Sequence, residues 1–317
     1  VKDFEMRVLF ISRGNKFGDP GVVAANQLES LRRYTELKID YLPVMGKGIT
    51  GYLKSVRVIN KKIREYNYDV VHANYSFCGY IAALASSKPL VVSLMGSDTQ
   101  HNGLFSAITR YFVRHKWKRT IVKSESMKID LGISKNVEVI PNGVDVDKIT
   151  AISFEEALEF SEFNKDLINI VFIGNPNRYS KNGALATAVV NEVKVPALKL
   201  HFIYDLPHRD SLKYIKSADV VLMTSRYEGS PNTIKEAMAC NIPIVSTDVG
   251  DVRYLLAGLN GCYVCSHDKS DLSNQLLAAI DFARNHGQTK GLERIKSLGL
   301  DAASIARNIE RLYKDIL

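Results

Sequence analysis

Cysteine is scarce: only Cys78, Cys240, Cys262 and Cys265 occur in 317 residues. Four thiols are too few for a disulfide framework and fit a reducing compartment. No apolar stretch approaches the ~18–20 residues that a membrane-crossing helix needs. No secretory leader is read at the start, where Val1-Lys2-Asp3-Phe4-Glu5 runs straight into the apolar Met6–Ile11. Self-similarity at solenoid periods is missing, which removes repeat architectures. The G-x-G-x-x-G spacing of a dinucleotide site is missing too. Acidic residues are thin in the first half. Residues 1–150 carry 23 basic and 14 acidic side chains, against 19 and 20 in residues 151–317. The net charge of +8 therefore resides in the first half, which argues for two units with different partners. With 46% hydrophobic and 24% charged residues, the chain has ordinary globular composition and is not globally disordered.

Short β-branched runs alternate with longer helical patterns. Strands are expected at Arg7–Ile11, Lys38–Val44, Asp69–Ala73, Leu90–Leu94, Thr120–Lys123 and Val137–Ile140, with helices near 21–34, 51–66, 76–86, 103–116 and 124–131. Several strands are apolar without alternation, as in Val8-Leu9-Phe10-Ile11, which marks burial on both faces of a parallel sheet. The rhythm restarts with strands at Asn169–Ile173, Lys199–Tyr204, Val220–Thr224, Ile244–Ser246 and Gly261–Val264. Helices are expected between and after them, near 181–193, 209–217, 231–240, 251–257, 270–285 and 301–317. Two successive β-α series predict two doubly wound α/β domains. Residues 141–166 lack a strand pattern and read as a linker with an entry helix.

The segment from Thr224 to Cys240 carries the most chemistry. The strand Val220–Met223 runs into a Gly229-Ser230-Pro231 turn and then a helix. Pro231 suits a first turn, where a missing N–H costs little, and Ser230 is the expected N-cap. A helix N-terminus at the carboxyl end of a parallel strand favours an anion, commonly phosphate. Glu228 and Glu236 frame that site. Carboxylates repel an anion but accept hydrogen bonds from neutral diols. An anion cradle with two hydroxyl readers describes a nucleotide sugar, with Glu236 on the ribose and Glu228 on the donor sugar. A solvated helix glutamate and an ordinary turn glutamate are the alternatives that spacing leaves open.

Glu228 to Glu236 resembles the E-x7-E motif of retaining glycosyltransferases of family 4, which have the GT-B fold. The flanking Ala218–Val221, Glu236–Val245 and Ser246-Thr247-Asp248-Val249-Gly250 resemble the same run, and Pro141-Asn142-Gly143-Val144-Asp145 resembles the family's entry into its linker. The resemblance implies two Rossmann-like domains facing a central cleft. An acceptor-binding domain would span 1–148 and be completed by the helix 301–317. A linker would follow at 149–167, and a donor domain at 168–300. It further implies transfer from a nucleoside-diphosphate sugar, UDP- or GDP-linked, to a glycan or lipid-linked acceptor. Anomeric configuration would be retained, with neither metal nor further cofactor. Catalytic roles would fall to Glu228, Lys181 and Arg178. Donor contacts would come from Gly174, Asn175, Gly229, Ser230, Pro231, Asn232, Thr233 and Glu236. The family usually places arginine where Asn175 stands; Arg178, three residues on, either replaces that cation or points to water. Gly18, Gly21, His72 and Asp98 match loops and strand ends facing the acceptor, while Asn74 and Met95 stand where histidines are common. His72 is open to two readings, a site group or a satisfied strand histidine. The rival readings are a nucleotide-sugar epimerase of the same fold and a catalytically idle protein that binds membrane or nucleic acid.

Two basic stretches underlie the charge asymmetry. One holds Lys47, Lys54, Arg57, Lys61, Lys62 and Arg64. The other holds Arg110, Arg114, Lys116, Lys118 and Arg119, interleaved with Tyr111, Phe112 and Trp117. A basic helix with aromatics suits an anionic membrane surface, would suit nucleic acid as well, and equally fits a merely solvated face. With the resemblance, the expectation is a cytoplasmic enzyme touching the inner face of the membrane, with no nucleic-acid partner. Asp145-Val146-Asp147 spells D-x-D but lies in the linker motif, not after a nucleotide-binding strand. Cys262-Tyr263-Val264-Cys265 spells C-x-x-C, but within a strand, where positions three apart face opposite sides. Neither reads as a metal site.

Overall fold

A computed structural model describes residues 5–45, 48–86, 88–96 and 103–317. The first series of elements runs β1 (Arg7–Arg13), α1 (Val22–Tyr34), β2 (Lys38–Val44), α2 (Gly48–Glu65), β3 (Val70–Asn74), α3 (Ser76–Ala85), β4 (Leu90–Ser93), α4 (Leu104–His115), β5 (Arg119–Val122), α5 (Glu125–Leu131) and β6 (Val137–Val139). Two short helices follow, α6 (Val146–Thr150) and α7 (Phe154–Ser161). The second series runs β7 (Ile168–Ile173), α8 (Gly183–Glu192), β8 (Leu198–Ile203), α9 (His208–Lys216), β9 (Val220–Met223), α10 (Asn232–Ala239), β10 (Ile244–Thr247), α11 (Val252–Leu256), β11 (Cys262–Cys265), α12 (Lys269–His286), α13 (Gly291–Ser297) and α14 (Ala302–Lys314).

Every pairing is parallel, giving a six-stranded sheet ordered β2-β1-β3-β4-β5-β6 and a five-stranded sheet ordered β11-β10-β9-β7-β8. Central strands are buried on both faces, as their unbroken apolar runs require: Val8 to Ile11, Ile170 to Phe172 and Val220 to Met223 all lie in the core. In each sheet the strand order reverses beside the first strand of its series, between β1 and β3 and between β7 and β9. Open α/β sheets bind ligands outside the carboxyl ends of the strands at such switch points.

Contacts divide the chain into two compact units, Val1–Gly143 with Ala302–Leu317, and Val144–Asp301. The boundaries read from sequence at 148, 167 and 300 differ from this division. The stretch expected as a linker with an entry helix holds the end of α6 and all of α7, and inside the second unit α6 packs on α10 and α7 on α9. Their starts are fixed by side chains. Asp145 accepts from the Lys148 amide at 3.1 Å and Ser153 from the Glu156 amide at 3.0 Å. That cap is the place of Asp145 in the fold. α13 was not foreseen either. It begins at Gly291, where a Cβ would collide with the Met238 carbonyl, so glycine sets how closely α13 lies on α10. α14 packs on α1 in the first unit, and its Ile305, Ala306, Ile309 and Leu312 are all buried.

Candidate active site

The switch point of the second sheet brings two loops together. One, 174–182, follows β7; the other, 224–231, follows β9. Thr224 Oγ1 donates to the Asn182 carbonyl at 2.9 Å, and the Arg226 amide donates to the Ser180 carbonyl at 2.9 Å. Across this seam Lys181 Nζ donates to Glu228 Oε1 at 2.6 Å, and Ser225 Oγ donates to the same oxygen at 3.0 Å. Gly174 makes the first bond geometrically open. Its φ is 124°, and a Cβ there would lie 3.3 Å from Lys181 Cε, so the lysine stem crosses bare backbone on its way to Glu228. The Ser225 carbonyl accepts from Thr247 Oγ1 at 2.7 Å and bonds His267 Nε2 at 3.0 Å, which fixes the residue that aims Glu228.

Asn175 takes no part in that pair. Its Oδ1 accepts from the Asn177 amide at 2.9 Å, so the side chain shapes the loop. Arg178 is exposed, and its carbonyl accepts from the Lys181 amide at 2.9 Å. Arg226, which the sequence reading passed over, donates to Asn182 Oδ1 at 3.1 Å and stacks over Tyr179 at 4.6 Å.

Pro231, with extended backbone, is the N-cap of α10, and no side chain caps the helix. This corrects the expectation for Ser230, whose hydroxyl turns inward. Its Oγ accepts from Lys235 Nζ at 3.1 Å, and the hydroxyl lies beside the Asp251 carboxylate and favours its charged form. The competing partner is a buried charge, which holds a hydroxyl more strongly than an amide does. Among the described residues no side chain accepts from the N–H groups of Asn232 and Thr233, leaving a helix N-terminus suited to an anion. Asn232 Oδ1 is buried there without a hydrogen-bond partner among the described residues. Gly229 is half-buried in the same turn. The turn rests on Gly250, φ 60°, where a Cβ would strike the Gly229 carbonyl.

Residues Ile234 to Ala239 are all buried, so Glu236 is not a solvated helix residue. Its Oε1 bonds His208 Nε2 at 2.8 Å, from the first residue of α9. The bond to Glu236 raises the His208 pKa above the ordinary imidazole value, against an opposing effect of burial. One carboxylate oxygen is thereby fixed and the other left to accept. Sequence reading missed His208 because 28 residues separate it from Glu236.

In the first unit, residues 13–21 form a tight excursion closed by a Gly14–Pro20 bridge. Asn15 Oδ1 accepts from the amides of Phe17 at 2.8 Å and Asp19 at 3.0 Å. Gly18 sits at φ 92° within it, and Gly21 is the N-cap of α1. Asp98 lies outside the described residues. His72 needs correction as an acceptor-facing group. It is fully buried on central strand β3, with Nδ1 bonded to the Tyr313 hydroxyl and Nε2 to Ser93 Oγ at 2.9 Å. Both nitrogens are engaged within the unit, tying α14 to the sheet. Burial, with the nearby Lys123 charge, pushes its pKa down to about 3. Cys262 and Cys265 are free thiols, and burial pushes both up to about 12, far from the reactive thiolate range.

Comparison with known proteins follows the same division. Residues 8–148 match the family model for Glycosyltransferase Family 4, and residues 159–281 match that for Glycosyl transferases group 1. The D-inositol 3-phosphate glycosyltransferase of Paenarthrobacter aurescens is 25% identical, with 89% of this chain and 83% of that protein covered. Among solved structures, sucrose-phosphate synthase from Thermosynechococcus elongatus superposes with a TM-score of 0.79 at 17% identity, covering 98% of this chain and 99% of the other. HepE of Anabaena, in complex with UDP, gives 0.75 at 16% identity, covering 98% and 100%.

Proposed function

The chain belongs to the group 1, family 4 glycosyltransferases of GT-B fold, and from that premise we propose that it moves a sugar from a nucleoside-diphosphate sugar to a glycan or lipid-linked acceptor with retention of configuration. The observation that carries this reading is the Lys181–Glu228 bond of 2.6 Å beside the uncapped N-terminus of α10. The diphosphate lies against the N–H groups of Ser230, Asn232 and Thr233. Lys181 turns from Glu228 towards it and offsets the negative charge that gathers as the sugar leaves. Glu228, freed of the lysine but still held by Ser225, accepts from a hydroxyl of the donor sugar. Glu236, oriented by His208, accepts from the ribose diol. No group of the chain is assigned as a nucleophile; the acceptor reacts on the face the sugar departs from, and the leaving phosphate assists. No metal and no cofactor beyond the nucleotide sugar enters this scheme. The first unit takes the acceptor. An epimerase is the weaker reading, because both family models that match are those of transferases.

A thermal-shift panel of UDP, GDP, ADP and their sugars tests the donor site, with uridine nucleotides first in view of the HepE complex. Ligand at ~100 times its dissociation constant adds ~2.7 kcal/mol, which reads as a melting shift of several degrees. One base is expected to give that shift and Glu236→Ala to remove it. A flat panel overturns the reading.

A cytoplasmic site of action at an anionic membrane is proposed for a specific face of α4. Leu104, Phe105 and Tyr111 are exposed there, with Arg114, Lys116 and Lys118 exposed alongside. Other residues of that stretch are engaged within the unit. Arg110 donates to the carbonyls of Asp130 and Leu131, Trp117 is buried, and Arg119 pairs with Glu138 at 3.4 Å. At ~1 kcal/mol per basic residue, replacing Arg114, Lys116 and Lys118 by alanine is expected to weaken sedimentation with phosphatidylglycerol vesicles about a hundredfold at low salt. Equal binding to phosphatidylcholine vesicles would remove the charge-based account.

A further inference from the structure

α10 is buried along almost its whole length, and a helix buried all round is ordinarily apolar. Two charges break that rule. Glu236 is accounted for by the donor site. Lys235 is not: it is fully buried, faces no solvent, and cannot reach a nucleotide in water. Its Nζ donates to Ser230 Oγ at 3.1 Å, and the Ser230 hydroxyl lies beside the Asp251 carboxylate and favours its charged form. Asp251 Oδ1 is buried without a hydrogen-bond partner among the described residues. The three residues come from α10, from the turn before it, and from the loop after β10. That loop presses on the turn at Gly250, whose missing side chain leaves room for the carbonyls of Glu228 and Gly229.

We infer that Lys235, Ser230 and Asp251 form an internal clamp that sets the backbone of the 228–231 turn, so that Lys235 is a positioning residue for the donor diphosphate and acts through Ser230 without touching it. The inference rests on the donor-site reading above. Apolar side chains of similar volume often stabilise as well as buried opposite charges do, or better, so stability alone gives little reason for these two charges. What an apolar pair cannot do is hold a hydroxyl. With Ser230 fixed, the carbonyls of Glu228 and Gly229 lie on Gly250 and the N–H groups of the turn and first helical residues face outward together. With Ser230 free, its hydroxyl can swing to cap α10, the ordinary role of serine at a helix start, and would then occupy the N–H groups that the diphosphate needs. Lys235 and Asp251 thus prevent the helix from capping itself. Burial lowers the Lys235 pKa to about 8, and the neighbouring Asp251 and Glu236 carboxylates oppose that effect, keeping the clamp charged near neutral pH.

The test separates affinity from stability in the full chain. Dissociation constants for UDP, GDP and ADP and melting temperatures are measured for wild type, Lys235→Met and Lys235→Met/Asp251→Leu. The single variant leaves Asp251 buried without its cation, so it is expected to melt lower and to bind the preferred nucleotide at least tenfold more weakly. The double variant replaces the pair by apolar groups. It is expected to regain the melting temperature of wild type and to keep the tenfold loss of affinity. Recovery of stability and affinity together would reduce the cluster to ordinary packing and overturn the inference, as would wild-type affinity in the single variant. Absence of binding to all three nucleotides in wild type would instead overturn the donor-site reading and the clamp with it.

Discussion

Lys181→Ala is expected to lower turnover about 10²–10³-fold, the usual loss when one preorganised group facing transition-state charge is removed. The lysine is the cation that the structure brings to Glu228. Arg178 is exposed, and Asn175 carries no charge. On the proposed donor placement the ground-state diphosphate would still have the N–H groups of α10, so nucleotide affinity should change far less than kcat. The fold should survive, because the Lys181 and Glu228 side chains keep about a fifth of their surface in water, at 19% and 21% exposure. Arg178→Ala, by contrast, is expected to stay within a few-fold of wild type. Initial rates across donor concentration, together with melting curves, read out both variants. A raised KM at unchanged kcat for Lys181→Ala would make the lysine a uniform binding group and remove it from the transition state.

The second large effect is on stability. His72 is neutral in the folded protein, with a pKa of about 3 against 6.5 for an unconstrained imidazole. A folded pKa below the unfolded one means that the unfolded chain binds the extra proton. The contribution of His72 is therefore complete above pH ~6.5 and is lost progressively as pH falls towards 3. At pH 5 the loss amounts to about 2 kcal/mol, a large fraction of a typical stability. Denaturant unfolding at pH 7.5 and pH 5.0 should show this loss in wild type. His72→Gln should start lower at pH 7.5 and lose less on acidification. Parallel losses in the two proteins would show that the acid sensitivity resides in other groups.

Strand and helix order was largely legible, because parallel strands buried on both faces leave unbroken apolar runs. β1 and β9 are visible as Val8-Leu9-Phe10-Ile11 and Val220-Val221-Leu222-Met223 without any structure. Lys181, Glu228 and Glu236 were legible as candidates from motif and resemblance, and the structure adds that Lys181 and Glu228 are bonded. Three things were hidden. His208 meets Glu236 only because α9 packs on α10, a tertiary fact with no local signal. Ser230 looked like a cap because the competing attraction of Lys235 depends on which side of α10 faces inward, and a helix buried all round has no amphipathic pattern to reveal it. α13 is a short helix that opens on glycine, so propensity argued against it until packing on α10 supplied the stabilisation.

The return of α14 to the first unit sets an order of events during synthesis. Residues 144–301 form a continuous unit, complete once its own segment has left the ribosome. The first unit, although begun earlier, lacks the helix that covers α1 and meets His72 until residues 302–317 emerge. Domains ordinarily mature in the order in which they are made. Here the later-made unit can mature first, and the earlier one must wait with part of its apolar surface open. A nascent chain is thus expected to be most exposed to chaperones and proteases in its first unit, until the emergence of α14 ends that exposure.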